Sequence, residues 1–295
     1  MFNYESEERC GYLVDKSYKH IWGIEMEILK EIIRICDKYN IPYFVFAGTL
    51  LGAIRHEGFI PWDDDMDIAM RRKDYERFIE VAEKELDFSK YCLQKGEEFG
   101  EIYEGFARIR YNSSTAIIKR DRNKNCNHGV FIDIYPLDNI PEQRWKQKIQ
   151  FSLIKNLSGM IFYHIYDDEG QRHKAVKKIV KMVKNQNFWK WMAKLVKNIC
   201  QMYNNTDTAM IGTLSCDPYD RNYYWYVEDV RETIDVPYED MKVKVPVGYD
   251  RCLKLSYGNY MEFPPVEERG QWHQNIYYDP LVPYTEYKDR EHLFD

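Results

Sequence analysis

The residues of this chain best suited to chemistry lie in positions 48–70, which read GTLLGAIRHEGFIPWDDDMDIAM. Asp65 and Asp67 alternate with Met66, Ile68 and Met70, the pattern of a half-buried strand over 65–70. Residues two apart on a strand share a face, so both carboxylates are expected to reach one point in space. Two converging carboxylates repel unless a cation lies between them, and such hard oxygen donors suit Mg²⁺, with Mn²⁺ as the substitute. Upstream, Gly48 has no side chain to hold a ligand away from the backbone. Thr49 follows at the start of a predicted short helix, where free N–H groups favour a phosphate. A phosphate cradle facing an Asp-x-Asp pair is a site for a nucleotide–metal complex. Each feature alone has a plainer explanation: a turn for Gly48, a solvated loop for Asp63-Asp64-Asp65. Their order along the chain is what points to chemistry. A third acid, Asp133, alternates with Ile132 and Ile134 and is expected to be partly buried, hence paired or functional.

These groups need a frame. Ile21, Ile24, Ile28, Ile32 and Ile35 recur at three- and four-residue steps and predict a helix over 15–39. An apolar strand over 43–47 should deliver the chain to Gly48, and 56–62 should be loop. A helix over 72–86 carries Tyr75, Phe78, Ile79, Ala82 and Leu86 on one stripe, and strands are expected at 91–94, 102–111, 114–119 and 130–134. Arg108 and Arg110 should then alternate outward on one strand. The mixture predicts an α+β core with a small mixed β-sheet flanked by helices. From 142 to 203 the pattern is helical with lysines between the apolar stripes. After that, strands are expected at 222–227 and 242–245 and a helix at 249–257. The expected division is a catalytic core over 1–141, a basic helical subdomain over 142–205, and a mixed segment over 206–295 packing on the core.

The net charge of −6 is uneven: residues 142–205 hold 13 Lys+Arg against 4 Asp+Glu, so the remainder stands at −15. So acidic a remainder, with no recognition motif, argues against nucleic acid. The basic helices could dock on an anionic membrane, hold an anionic polymer, or simply face solvent. Seven scattered cysteines with no CxxC pair fit a reducing cytosol. The acidic N-terminus has no apolar leader, and the longest largely apolar run, 41–54, is too short to span a bilayer. The expectation is a cytoplasmic protein, with peripheral contact at the inner face of the membrane if the basic helices dock.

Residues 48–70 resemble the signature of the LicD family, whose members resemble the nucleotidyltransferase superfamily in fold. GVFIDIYPLDNIP at 129–141 resembles that family's second block, and residues 236–269 resemble its C-terminal block. The resemblance implies a nucleotidyltransferase-like core in which Gly48 and Thr49 form the phosphate-binding turn. It implies that Asp65 and Asp67 bind the metal, and that Asp133 completes that site or acts as base. Arg55, His56 and Arg108 are candidates for phosphate contacts, and His273 lies where family members often carry a late histidine. The implied activity is Mg²⁺-dependent transfer of a phospho-alcohol group from a CDP-alcohol, CDP-choline first, to a hydroxyl of a glycan or lipid-linked glycan. The glycan would be a teichoic acid, capsule or lipopolysaccharide precursor. Two alternatives stand beside this: a nucleotidyltransferase acting on a sugar or small molecule, and a non-catalytic nucleotide- or glycan-binding member. Choline would call for ring faces, for which Trp62 and the run Tyr223-Tyr224-Trp225-Tyr226 are candidates.

Overall fold

The isoleucine stripe forms the helix it predicts. In the computed structural model, which describes residues 2–166, 174–270 and 275–294, α1 spans Lys16–Tyr39. The Asp15 side chain caps it by accepting from the Ser17 N–H at 2.8 Å, and Asn40, at φ 49°, ends it in the left-handed region. Ile21, Ile28, Ile32 and Ile35 are buried, and Trp22 stacks on Phe59 with ring centroids 4.5 Å apart.

The chain then builds a seven-stranded mixed sheet: β1 (Phe44–Val45), β2 (Asp67–Arg71), β3 (Tyr91–Lys95), β4 (Ala107–Tyr111), β5 (Phe131–Ile140), β6 (Met210–Gly212) and β7 (Trp225–Tyr226). Strand β5 is its spine. It runs parallel to β2, with Asp133 opposite Asp67, and antiparallel to β4, with Asp133 opposite Arg108. Its far end, 138–140, pairs with β6. Helices α2 (Ala47–Arg55) and α3 (Arg72–Glu85) flank β2 in sequence. Ile68, Ala69, Met70, Ile109, Ile132 and Ile134 are wholly buried, so the sheet centre is apolar on both faces.

Helices α4 (Arg144–Ile165), α5 (Lys174–Met182) and α6 (Gln186–Cys200) follow, as the lysine-rich pattern predicts. Their buried Phe151, Ile154, Ile161, Trp189 and Val196 form a second apolar cluster, which Tyr103, Ile140, Leu214 and Tyr224 join from outside the three helices. Between the clusters Arg72 is buried against Asp138 at 2.6 and 2.9 Å and Glu97 at 2.7 Å. A hairpin, Thr233–Tyr238 on Met241–Pro246, and α7 (Tyr249–Tyr257) come next, and near the end of the chain Ile276–Asp279 pairs antiparallel with Thr115–Ile118.

Several boundaries differ from those expected. The 65–70 strand begins at Asp67, because the turn at Pro61-Trp62 and three consecutive acids keep 63–66 irregular. The short helix begins at Ala47, so Gly48 lies inside its first turn. The strand expected at 102–111 begins at Ala107, and the one expected at 130–134 runs through Pro136 to Ile140. The strand at 222–227 shrinks to Trp225–Tyr226 between 3-10 turns. The first strand of the final hairpin, which carries Asp235 and Pro237, escaped the pattern.

Candidate active site

Asp67 opens β2 with its backbone held on both sides. Its N–H donates to the Thr49 hydroxyl at 2.7 Å, and its carbonyl accepts from the Phe46 N–H at 2.8 Å. The buried Thr49 thus fastens α2 to β2; it does not line the cavity beside them. Gly48 does. A Cβ there would stand 2.8 Å from Asp63 Oδ2, so only glycine leaves that carboxylate its position. Ala47, just before it, sits at φ 45°, a left-handed conformation costly for alanine and a local store of strain at the cavity wall.

This first cavity has a volume of about 470 Å³. Asp63, Asp65 and Asp67 form one wall, and Trp62, Tyr223, Tyr257, Tyr260 and Phe263 supply rings. A second cavity of about 510 Å³ is lined by Asp65, Asp133, Arg108, Lys119 and Arg120. The three acids singled out in the sequence are therefore spread over two cavities that share Asp65. One is rich in rings and carboxylates, the other in cations.

The electrostatics of the acids differ. Asp67 Oδ1 is buried with no hydrogen-bond partner. Burial, reinforced by Asp65 and Asp133, pushes the Asp67 carboxyl well above the usual carboxylate range. Burial also raises Asp133, against the pull of Arg108, whose guanidinium donates to its two oxygens at 2.5 and 3.2 Å. A further acid missed in the sequence, Glu25 on α1, is buried; burial first and then Asp65 and Asp64 raise its carboxyl well above the ordinary value. An acid on the apolar stripe, four residues after Ile21 and three before Ile28, was the signal that could have found it.

An orphaned carboxylate oxygen beside a second carboxylate on the same wall fits a divalent cation. Mg²⁺ is commonly held by one or two carboxylates, with substrate phosphates and water completing its shell. Among the described residues no three His, Cys, Asp or Glu side chains gather into a ready cage. Asp65 and Asp67 are the pair that fits; Asp133 already has a cation in Arg108.

The other candidates are placed as follows. Arg55 lines the ring-rich cavity, but its Nη1 donates to the carbonyls of Tyr260 and Glu262 at 2.9 and 3.0 Å. His56 stacks on Phe263 with centroids 5.4 Å apart, and burial beside Arg55 lowers its pKa to about 4. Both residues fix the segment around 260–263 to the end of α2, and His56 is neutral near pH 7. Arg108 and Arg110 are buried, not outward: Arg110 donates to Gln94 and to the Gly129 carbonyl, while Arg108 reaches the second cavity. His273 lies outside the described residues. Of the run 223–226 only Tyr223 lines the ring-rich cavity; Trp225 is core. Tyr257, the last residue of the helix expected at 249–257, and Phe263 beyond it were missed as ring candidates in the sequence.

Residues 40–164 match the family model described as "LicD/FKTN/FKRP, nucleotidyltransferase domain", a span that contains Asp65, Asp67, Arg108 and Asp133. The chain is similar to the lipopolysaccharide cholinephosphotransferase LicD of Haemophilus influenzae, 29% identical over 252 residues, which cover 84% of this chain and 92% of that protein. It is also similar to the human ribitol 5-phosphate transferase FKRP, 27% identical over 89 residues, 30% of this chain and 18% of that protein.

Proposed function

The chain carries a domain of the LicD family, and on that premise we propose that it transfers a phospho-alcohol group from a CDP-alcohol to a hydroxyl of a cell-surface glycan precursor. Phosphocholine from CDP-choline is the first donor, and a lipopolysaccharide, teichoic acid or capsule precursor the acceptor; CDP-ribitol and CDP-glycerol follow. The core is read as nucleotidyltransferase-like, in keeping with the description of the family model.

The observation that carries this reading is the orphaned oxygen of Asp67 beside Asp65, on the wall of a ring-lined cavity. Asp65 and Asp67 would hold Mg²⁺, which supplies charge neutralisation on the donor diphosphate. Arg108, held by Asp133 and Glu104 on the wall of the second cavity, would stabilise negative charge on the transferred phosphoryl group. A new bond forms between the acceptor oxygen and the phosphorus, the bond to CMP breaks, and CMP leaves. Asp133, which lines the second cavity together with Asp65, would take the hydroxyl proton. The rings of Tyr223 and Tyr257, whose hydroxyls lie 3.4 Å apart, offer faces to a quaternary ammonium, with Asp63 nearby to balance its charge.

A screen of CDP-choline, CDP-ribitol and CDP-glycerol for CMP release, with Mg²⁺ and cell-envelope glycan, tests the proposal. Release of CMP that needs both the metal and the glycan is the expected result. Pyrophosphate released from a nucleoside triphosphate in place of CMP would favour nucleotidyl transfer. Nucleotide binding with no turnover would favour a non-catalytic module.

A further inference from the structure

A third cavity, of about 270 Å³, lies between helix α4 and the core. Ser158, Gly159 and Phe162 of α4 form one side; Tyr103, Glu104, Arg120 and the segment 215–218 form the other. Arg120 also lines the second cavity, so the two cavities share one guanidinium. That group is held in place. It donates to Glu104, which also accepts from Arg108 at 3.3 Å, and it lies 5.1 Å from the centre of the Tyr166 ring.

Three features of this wall cost stability and serve no contact within the protein. Ser158 Oγ and Ser215 Oγ are buried and find no hydrogen-bond partner. Tyr103 lies beside the first and the Cys216 thiol beside the second, but neither approach has hydrogen-bond geometry. Buried hydroxyls left unpaired are unfavourable. The third feature is Gly159. Glycine inside a helix is destabilising relative to alanine, and no neighbour here demands it: a Cβ would meet nothing within 4 Å. The missing side chain leaves the cavity open from the α4 side.

The lining sets the chemistry of an occupant. Glu104 and Asp217 offer carboxylates that accept, Arg120 and the two serines offer donors, and Phe162 and Tyr103 offer ring faces. A sugar ring, with hydroxyls at its edge and C–H groups on its faces, uses all of these. An inorganic anion would meet Glu104 and Asp217, and an apolar ligand would leave both serines unpaired. Pockets for drug-sized ligands run about 300–1,000 Å³, so this smaller one suits a single ring better than a nucleotide. We propose that the third cavity binds a sugar of the acceptor glycan, next along the chain from the unit that takes the phosphoryl group in the second cavity. This rests on the proposed transfer to a glycan hydroxyl. It makes Ser158, Ser215 and Gly159 determinants of acceptor choice, with Arg120 at the junction of the two subsites.

Isothermal titration of oligosaccharides released from cell-envelope glycan into the full chain, with no donor added, tests this apart from turnover. Gly159→Met fills the cavity from α4, and Ser158→Ala/Ser215→Ala removes the two hydroxyls. Each should weaken oligosaccharide binding at least about tenfold. The melting temperature should hold or rise, because the first variant gains helix propensity and the second sheds unpaired buried groups. Unchanged affinity in either variant, or no binding of the oligosaccharides to the wild type, would overturn the proposal. So would binding of inorganic phosphate that Gly159→Met abolishes, which assigns the cavity to a free anion. Oligosaccharide binding that both variants weaken, in a protein that releases no CMP from any donor, would support this subsite and remove the transfer reading.

Discussion

Asp67 and Asp133 are register partners on the parallel strands β2 and β5, yet only Asp133 has an arginine opposite it on the next strand. Arg108 neutralises one acid and leaves the other with a buried oxygen and no donor. An uncompensated buried carboxylate lowers stability, and a bound cation reverses that cost. On the proposed reading, metal binding and fold stability would meet at this one side chain.

Asp67→Asn should separate stability from activity. Loss of the buried charge raises the melting temperature by a few degrees, because the folded state already disfavours the ionised form. Transferase turnover falls about 100-fold or more, as expected when several kcal/mol of charge stabilisation are removed. Mg²⁺ should raise the melting point of the wild type and leave that of the variant unmoved. Scanning fluorimetry across a Mg²⁺ series reads both, and an equal Mg²⁺ shift in the two proteins would remove Asp67 from the site.

Arg108→Met leaves Asp133 buried without its cation, while Glu104 keeps Arg120. It should cost about 3–5 kcal/mol in urea unfolding. Adding Asp133→Asn should recover a large part of that loss, and strict additivity of the two changes would contradict the pairing.

Tyr257→Ala removes a ring that is 38% exposed, so the fold should tolerate it. A single cation–π face of about 1–2 kcal/mol predicts a 5- to 30-fold rise in KM for CDP-choline. The KM for CDP-glycerol, which has no quaternary ammonium, should move much less. Parallel losses with both donors would place the ring elsewhere than at the head group.

His128 is buried, and burial lowers its pKa to about 4. The unfolded chain takes up its proton near pH 6.5, the folded chain only near 4, so stability is full above about pH 6.5 and falls as pH drops towards 4. The loss assignable to this group is on the order of 2–3 kcal/mol. Comparing urea midpoints at pH 7 and pH 4.5 for the wild type and His128→Gln isolates it: the variant should lose less over that interval.

Much of the frame was legible because its signals are local. The isoleucine spacing marked α1, the Asn40-Ile41-Pro42 stop ended it, and residues 249–257 form the helix their pattern suggests. Alternation placed Asp133 on its strand. Asp65 was put on a strand because alternation extends one pair beyond where β2 actually begins; three adjacent acids and the preceding turn outweighed it. Thr49 was read for its helix position, whereas its partner, the Asp67 N–H, lies eighteen residues away and leaves no local trace. The same holds for the ring-lined wall, which joins Trp62 to Tyr257 and Phe263 through tertiary packing alone.

Strand β5 has one more consequence. Its early residues Ile132 and Ile134 belong to the main apolar cluster, and Ile140 at its end belongs to the cluster of α4 and α6. A single uninterrupted ladder thus fastens two hydrophobic interiors like a shared beam. Excising 142–205 would uncover Ile140, Leu214 and Tyr224 together, so a shortened protein lacking those helices should precipitate instead of yielding a minimal enzyme. The intact chain should melt in one cooperative step, without a preliminary loosening of its helical end.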